Sequence, residues 1–424
     1  MIPFKTVMQF MLSIFTNVVL IITMYYLILS LFGLVKKRDN NTFEPQKSFA
    51  LVVAAHNEEA VIEGIINSLL KLDYPKELYD IYVIADNCSD ATAAISKNAG
   101  AIVYERFNKD LRGKGYALEW MFKKLFSLEK QYDSIVILDA DNLVSRNFLK
   151  AMNNKLCEGY KVVQGYLDSK NPKDTWITAC YSISFWSTNR MFQLARNNLG
   201  LSSQLGGTGF CMDTQILKEL GWGATCLTED LEFTCKLVLN GYKVGWAHDA
   251  VIYDEKPLSL AQSWAQRRRW MQGFADVSSR YFFKLMKMSI KERSFTKFDC
   301  ALYSIQPIVT ILLGISTILN CIQQLFAAPE TITKVINMMN TTGITIAAAC
   351  LLLAMVLQFL YTPFILFLEK KLDLKIILYY LIYPVYLITW LPICIQGVMN
   401  KENKEWSHTK HTRSVNIEEL EKVN

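Results

Sequence analysis

Two carboxylates one residue apart, Asp139 and Asp141, carry the chemistry that is easiest to name. At the exit of a buried strand, such a pair can grip a hard divalent cation. That cation can bridge a nucleotide's diphosphate and stabilise its charge as it leaves. Asp-x-Asp is also a common turn, but its place behind Ile135-Val136-Ile137-Leu138 favours the functional reading. Asp86 follows another apolar run, in Ala85-Asp86-Asn87-Cys88-Ser89-Asp90. A carboxylate there can accept a hydrogen bond from a uracil ring N–H, or merely form a turn or helix cap. Arg112-Gly113-Lys114-Gly115 precedes a helical pattern at 116–126. Its glycines let backbone approach a phosphate, and a helix start with Lys114 favours the anion. It does not match a Walker loop, so nucleotide hydrolysis is not implied.

Three further strings complete the set. Gly206-Gly207-Thr208-Gly209-Phe210 combines close backbone approach with an aromatic platform for a sugar ring, a tight turn being the plainer reading. Thr228-Glu229-Asp230 opens a segment of helical spacing. Its carboxylates are either a cap or a base that takes a proton from an acceptor hydroxyl. Gln266-Arg267-Arg268-Arg269-Trp270 is the most unusual string. Arginine forks suit a diphosphate and tryptophan a sugar face; the alternative is a basic amphipathic helix on lipid heads.

The elements that position these residues can be read from hydrophobic pattern. Runs at 49–55, 81–85 and 135–138 are apolar, short and bounded by polar residues, and so predict buried strands. Val61, Ile62, Ile65, Ile66, Leu69 and Leu70 recur at helical spacing behind the first. Strands alternating with helices predict an open α/β sheet, which binds ligands at the C-terminal edge of its strands.

The 424 residues are 51% hydrophobic, unevenly placed. Residues 7–35, 300–329, 335–368 and 376–400 contain no charged side chain. Each run exceeds the ~20 residues that cross a bilayer core. The first is too long for a signal peptide's apolar core and reads as an anchor. Lys36, Lys37 and Arg38 then place the adjoining polar segment in the cytoplasm. The expected plan is an anchor at 7–35, a cytoplasmic domain at 40–297, a C-terminal transmembrane region at 300–400 and a polar tail at 401–424. This describes a multi-pass protein of the cell membrane. A net charge of +6 with no basic block argues against nucleic acid. The ten cysteines are scattered and fit a reduced compartment.

Taken in order, His56-Asn57-Glu58, Asp86, Asp139-Ala140-Asp141, Thr228-Glu229-Asp230 and Gln266 to Trp270 resemble the processive family 2 glycosyltransferases. These include cellulose, hyaluronan and poly-N-acetylglucosamine synthases and chitin-oligosaccharide synthases. The resemblance runs over 48–273. It implies a GT-A type α/β fold with transmembrane helices on both sides, a UDP-sugar donor, Mg2+ or Mn2+, and inverting transfer. Carried over by position, Ala55, Asn57, Glu58 and Asp86 hold the uridine, and Lys114 lies near the diphosphate. Asp139 faces the donor, Asp141 binds the metal, and Asp230 is the base beside Glu229. Gln266, Arg269 and Trp270 serve diphosphate and acceptor sugar, with Gly207 and Thr208 on the acceptor side. The tail from Trp406 to Arg413 looks like a W-x-x-T-x-R element that closes over the donor in some relatives.

Two departures matter. One N-terminal run stands where relatives often have two. Three C-terminal crossings would also put the tail on the wrong side to reach the donor. Pro384 and Pro392 interrupt the last run and suggest a re-entrant or interfacial segment. The expected acceptor is a growing exported polysaccharide, which leaves room for an accessory exopolysaccharide subunit. A membrane lipid acceptor, giving a glycolipid, is the alternative. A nucleotide-sugar sensor would not need Asp230 or Trp270, and a transporter would not need the polar domain.

Overall fold

The computed structural model describes residues 4–37, 42–223, 226–320, 322, 359–403, 413 and 415–421. An apolar helix, α1 (Phe4–Leu31), leads into the polar domain. Eight strands form one sheet: β1 (Phe49–Ala55), β2 (Tyr79–Asp86), β3 (Ile102–Arg106), β4 (Ser134–Asp139), β5 (Leu143–Val144), β6 (Val162–Ser169), β7 (Phe210–Asp213) and β8 (Val244–Asp254). Their spatial order is β3-β2-β1-β4-β7-β6-β8-β5. Between them lie α2 (Ile62–Leu70), α3 (Thr92–Asn98), α4 (Lys114–Phe126), α5 (Phe148–Cys157), α6 (Trp176–Thr188), α7 (Ala195–Asn198), α8 (Thr214–Leu220) and α9 (Glu229–Leu239).

The β1 strand has no polar residue because both its faces are covered. Leu51 and Val53 meet Ile62, Ile65, Ile66 and Leu69 of α2. Ala50 and Val52 meet Leu118, Met121 and Phe122 of α4. Each such side chain, fully buried, stabilises the fold by roughly 1.5–3 kcal/mol. The alternating pattern accounts for β1 to β4, which run parallel. Beyond β4 the sheet is mixed: β7 pairs antiparallel with both β4 and β6, while β6 pairs parallel with β8.

This topology sets the site. Ala54 sits opposite Asp139 and Ala55 opposite Ala85, so β1, β2 and β4 end at one edge. Because β7 runs the other way, residues 206–209 enter that same edge. The Gly209 N–H donates to the Ile137 carbonyl at 2.8 Å.

The chain continues in a 32-residue helix, α10 (Leu260–Lys291), and α11 (Phe295–Ser304). Then come α12 (Gln306–Asn320), α13 (Phe359–Leu368), α14 (Leu374–Tyr380), α15 (Tyr383–Ile388), α16 (Trp390–Met399) and α17 (Ile417–Glu421). Among the described residues, Phe10–Leu31 alone is a single helix long and apolar enough to cross a membrane. Two C-terminal runs expected as crossings are bent helix pairs, each apolar and long enough to cross when taken as one span. α11 with α12 bends by 66°, and Leu374–Tyr380 with Tyr383–Met399 by 49°. Most of the run at 335–368 lies outside the described residues.

The last run packs on the polar domain. Tyr383 and Tyr386 are buried with Tyr181 and Ile177 of α6. At Gly397 an added Cβ would sit 2.4 Å from Met271 Cβ, so α16 crosses α10 at a distance that only glycine allows. The α17 helix returns as well. Ile417 is buried against Leu143 and Tyr253, and Glu418 pairs with Lys71 at 2.6 Å.

Candidate functional site

The edge begins with a pair of polar turns behind β1 and β2. Asn57 and Asn87 have φ of +56° and +53°, left-handed values that asparagine tolerates better than most residues. The turn they make is closed by hydrogen bonds. Ser89 N–H donates to Asn57 Oδ1 at 2.8 Å, Glu58 N–H to Thr92 Oγ1 at 2.8 Å, and Asn87 N–H to the Arg106 carbonyl at 2.7 Å. Ala55 is buried at the strand end, and its carbonyl accepts from Cys88 Sγ at 3.6 Å.

Asp86 is 8% exposed. Its Oδ1 accepts from Arg106 and, at 3.0 Å, from Asn87 Nδ2. Among the described residues its other oxygen accepts no hydrogen bond, which suits a ring N–H of a nucleobase. Arg106 was not among the expected residues. It is the last residue of β3, directly opposite Asp86 in the parallel register. The signal in sequence is a cation closing one strand beside a strand closed by an anion.

The next group surrounds Lys114. Gly113, with φ +108°, turns the chain so that α4 starts at Lys114, leaving the N–H groups of its first turn without partners inside the helix. Lys114 Nζ donates to Asp139 Oδ1 and, at 2.7 Å, to the Gly207 carbonyl. Burial pulls the Lys114 pKa down, but Asp139, Glu229 and Asp230 outweigh it and the net shift is upward. The lysine therefore stays cationic. The Thr208 hydroxyl donates to Asn142 Oδ1 and accepts from the Asp139 N–H at 3.0 Å, so it braces the loop. Phe210 is a correction. It is 1% exposed in the core against Trp222, because the inward face of β7 begins there, and it offers no platform to a sugar.

Asp141 is 6% exposed; Oδ2 accepts from the Glu255 N–H at 3.0 Å and Oδ1 from Asn142 at 3.2 Å. Near it lies a mixed cluster that the sequence did not reveal. Burial pushes Asp254 up to about 6, with Lys256 pulling the other way. Burial also lowers Lys170, against the pull of Asp141, Glu255 and Asp254. Among the described residues no group of three or more His, Cys, Asp or Glu forms a ready metal cage. Asp139 and Asp141 nonetheless fit a magnesium-like ion. Such ions are held by one or two carboxylates and take their remaining ligands from substrate phosphates and water.

Glu229 and Asp230 open α9, as expected. Burial first, and Glu229 second, push Asp230 up to about 7. Glu229 is raised too, by burial, with Lys114 opposing. A Cβ at Gly207 would lie 3.6 Å from Asp230 Oδ2, so the loop at 206–209 joins Lys114 to the carboxylate. Behind Asp230, a Cβ at Gly273 would sit 2.5 Å from Thr228 Oγ1 and Cγ2: α10 presses directly on the start of α9.

Consecutive residues on α10 point apart by about 100°, and the arginine string divides accordingly. Arg268 is exposed. Arg269 lies close enough to Glu229 to favour its ionisation. Arg267 is fully buried. Its guanidinium carbon sits 4.3 Å from the Tyr386 ring centroid and 4.9 Å from that of Trp390, with Nη1 donating to Thr389 Oγ1 at 2.9 Å. Arg267 therefore clamps α10 to the C-terminal helices. Gln266 accepts from the Tyr181 hydroxyl at 2.6 Å, and Trp270 stands edge-on to Phe185 at 6.3 Å. The rings of Tyr386 and Trp390 are thereby covered by Arg267. Trp406 to Thr412 lie outside the described residues. Arg413 N–H donates to Glu255 Oε2 at 3.0 Å, next to Asp141.

The family described as glycosyltransferase-like family 2 matches residues 45–273. A probable glycosyltransferase of Bacillus subtilis is 28% identical over 267 residues, covering 60% of this chain and 62% of that protein. The poly-beta-1,6-N-acetyl-D-glucosamine synthase of Staphylococcus aureus is 28% identical over 263 residues, 60% and 61%. The beta-monoglucosyldiacylglycerol synthase of Synechocystis is 28% identical over 243 residues, 54% and 48%. The chain thus spans about three-fifths or less of the length of these relatives. A mannosyltransferase of Pyrobaculum calidifontis, solved with GDP-Man and Mn2+, is 16% identical. It covers 92% of this chain and 99% of that one, with a TM-score of 0.56, and so has a similar fold.

Proposed function

The chain belongs to the glycosyltransferase-like family 2, and from that premise we propose that it transfers a hexose or hexosamine from a UDP-sugar, with inversion, to a growing exported polysaccharide. One observation carries this reading. Lys114, Asp139, Gly207 and Asp230 come from four distant segments, yet they join in one chain of contacts at one sheet edge. That edge offers a carboxylate for a base N–H at Asp86, a cation for a diphosphate at Lys114, and a carboxylate with its pKa near neutrality at Asp230.

Asp230 takes the proton of the acceptor hydroxyl, whose oxygen attacks the sugar's C1. The bond from C1 to the diphosphate oxygen breaks, and its electron pair leaves with UDP. Lys114 and Arg269 stabilise that charge, and the N-terminus of α4 adds its dipole. A Mg2+ or Mn2+ held by Asp141, with Asp139, would supply further neutralisation of the leaving diphosphate. A positioned base contributes about 10²–10⁴-fold. Gln266 and Trp270 serve the acceptor. We place α1 in the cell membrane with the polar domain at 40–297 in the cytoplasm. The bent C-terminal segments lie in or on the bilayer, and the tail lies on the catalytic side.

A glycolipid product is the second reading, favoured by the Synechocystis relative's name. The test uses purified protein in lipid nanodiscs with Mn2+ and a panel of radiolabelled UDP-sugars. Water-soluble, high-molecular-weight product from one donor supports the polysaccharide reading. A small product that partitions into organic solvent moves the assignment to a glycolipid enzyme. No transfer from any donor overturns the proposal.

A further inference from the structure

The far half of α10 carries a second pattern. Arg280, Lys284, Lys287 and Lys291 recur at spacings of four, three and four residues, which aligns them along one stripe of the helix. Phe283 and Ile290, two turns apart, border the stripe and are 80% and 76% exposed. The opposite face is fixed: Leu285 is fully buried with Leu231 and Val238 of α9 and Cys300 of α11. The stripe therefore points outward by packing.

Its charge is one-sided. Arg280 is tied to Glu232 and Asp276, and Glu292 to Lys297. Among the described residues no carboxylate pairs with Lys284, Lys287 or Lys291. Arg293 extends the positive surface past the helix end.

The stripe ends four residues before a helix that meets the apolar anchor. Just beyond α10, the rings of Phe295 and Phe298 stand edge-on to Tyr25 of α1, at 6.0 and 6.2 Å. Tyr25 is about 1.7 turns from the end of α1 at Leu31, about 9 Å along the axis. Cations beside two exposed apolar side chains, on a helix that leads to this contact, match the chemistry of an interfacial helix on an anionic surface.

We propose that Lys284, Lys287 and Lys291 seat anionic lipid headgroups at the cytoplasmic face of the bilayer, with Phe283 and Ile290 set among the acyl chains. The inference rests on the membrane placement of α1 proposed above, and adds a lipid requirement to it. Since α10 also carries Gln266 and Trp270, the seat would hold the near end of the same helix against the sheet edge.

The test uses the full chain in nanodiscs of phosphatidylcholine alone or mixed with phosphatidylglycerol. Phe283→p-benzoylphenylalanine provides a photocrosslinker, and adducts are identified by mass. Each lysine near an anionic surface strengthens attraction roughly fivefold. Phosphatidylglycerol adducts should therefore exceed that lipid's share of the mixture by about threefold or more. K284Q/K287Q/K291Q should return them to that share. Absence of lipid adducts, adducts that follow bulk composition in both proteins, or crosslinks to a second copy or another protein would each overturn the seat. Sugar transfer is assayed on the same nanodiscs. Lipid adducts without transfer count against the enzyme reading alone, and transfer without lipid adducts counts against the seat alone.

Discussion

Gly273→Ala tests the link between helix packing and turnover without touching a charged group. The new Cβ would meet Thr228 Oγ1 and Cγ2 at 2.5 Å and Thr228 Cβ at 2.9 Å. Thr228 is buried, β-branched and immediately precedes Glu229-Asp230, so it cannot swing aside. Restoring ordinary contact requires a displacement of about 1 Å, passed to the start of α9. A 1 Å misplacement of a reacting group costs on the order of 100-fold in rate, or about 2.7 kcal/mol of barrier. Overpacking itself destabilises by roughly 1–3 kcal/mol. The assay is kcat and donor KM in nanodiscs, with thermal unfolding alongside. We expect a large fall in kcat, little change in donor KM, and a modest fall in Tm. Thr228→Ala added to Gly273→Ala removes the two closest atoms and should recover part of the rate. Gly64→Ala is the control, because its nearest neighbour would be 3.6 Å away. Wild-type kcat in Gly273→Ala, with an unchanged Tm, would refute the coupling of α10 to Asp230.

Asp230→Asn should cut kcat about 100-fold or more while donor binding survives. In the free enzyme kcat/KM should rise with pH through about 7, because only the ionised carboxylate can take the proton and burial has raised its pKa. Glu229→Gln removes the second cause of that rise and should move the limb to lower pH; an unmoved limb would show that Glu229 does not govern it. Arg196 and Asp299 are each 1% exposed and joined at 2.7 Å, with the Tyr25 hydroxyl donating to Asp299 at 2.6 Å. Arg196→Met should lower stability by about 3–5 kcal/mol, read from thermal unfolding in detergent, and Arg196→Met with Asp299→Leu should regain most of it. With α17 docked on the polar domain, a green fluorescent protein fused after residue 424 should fluoresce in cells, and a dark fusion at normal expression would place the tail on the other side.

Legibility followed burial on both faces. The first strand was expected at 49–55 and is found there, because an uninterrupted apolar run between two helical layers has few other uses. The strands expected at 81–85 and 135–138 lengthened by one or two residues at each end. The β6 strand was missed although all of it is buried, since Gln164, Asp168 and Ser169 break the apolar pattern. Those polar groups are satisfied internally: Gln164 donates to the Thr208 carbonyl at 2.9 Å, and Asp168 accepts from Trp186 at 2.6 Å. Charged residues at strand exits were visible, but their partners were not. Arg106 meets Asp86 only because β3 pairs with β2 in parallel. Likewise nothing in the order of three arginines says which one faces Tyr386 and Trp390, because helix rotation against a later segment decides it.

That late partner bears on how the protein is made. Arg267 finds its hydroxyl partner 122 residues downstream, at Thr389. At about 5–20 residues per second, translation needs roughly 6–24 s to cover that stretch. During that interval α10 has no α16 to cross, and a guanidinium destined for a dry aromatic slot is still wet. The sheet edge with Asp86, Lys114 and Asp139 can be complete once β8 has emerged. The helix bearing Gln266 and Trp270 reaches its final seat only after the hydrophobic third has been synthesised and placed. A nascent chain, or one truncated before Thr389, would therefore hold the sheet-edge half of the site without the half that α10 completes.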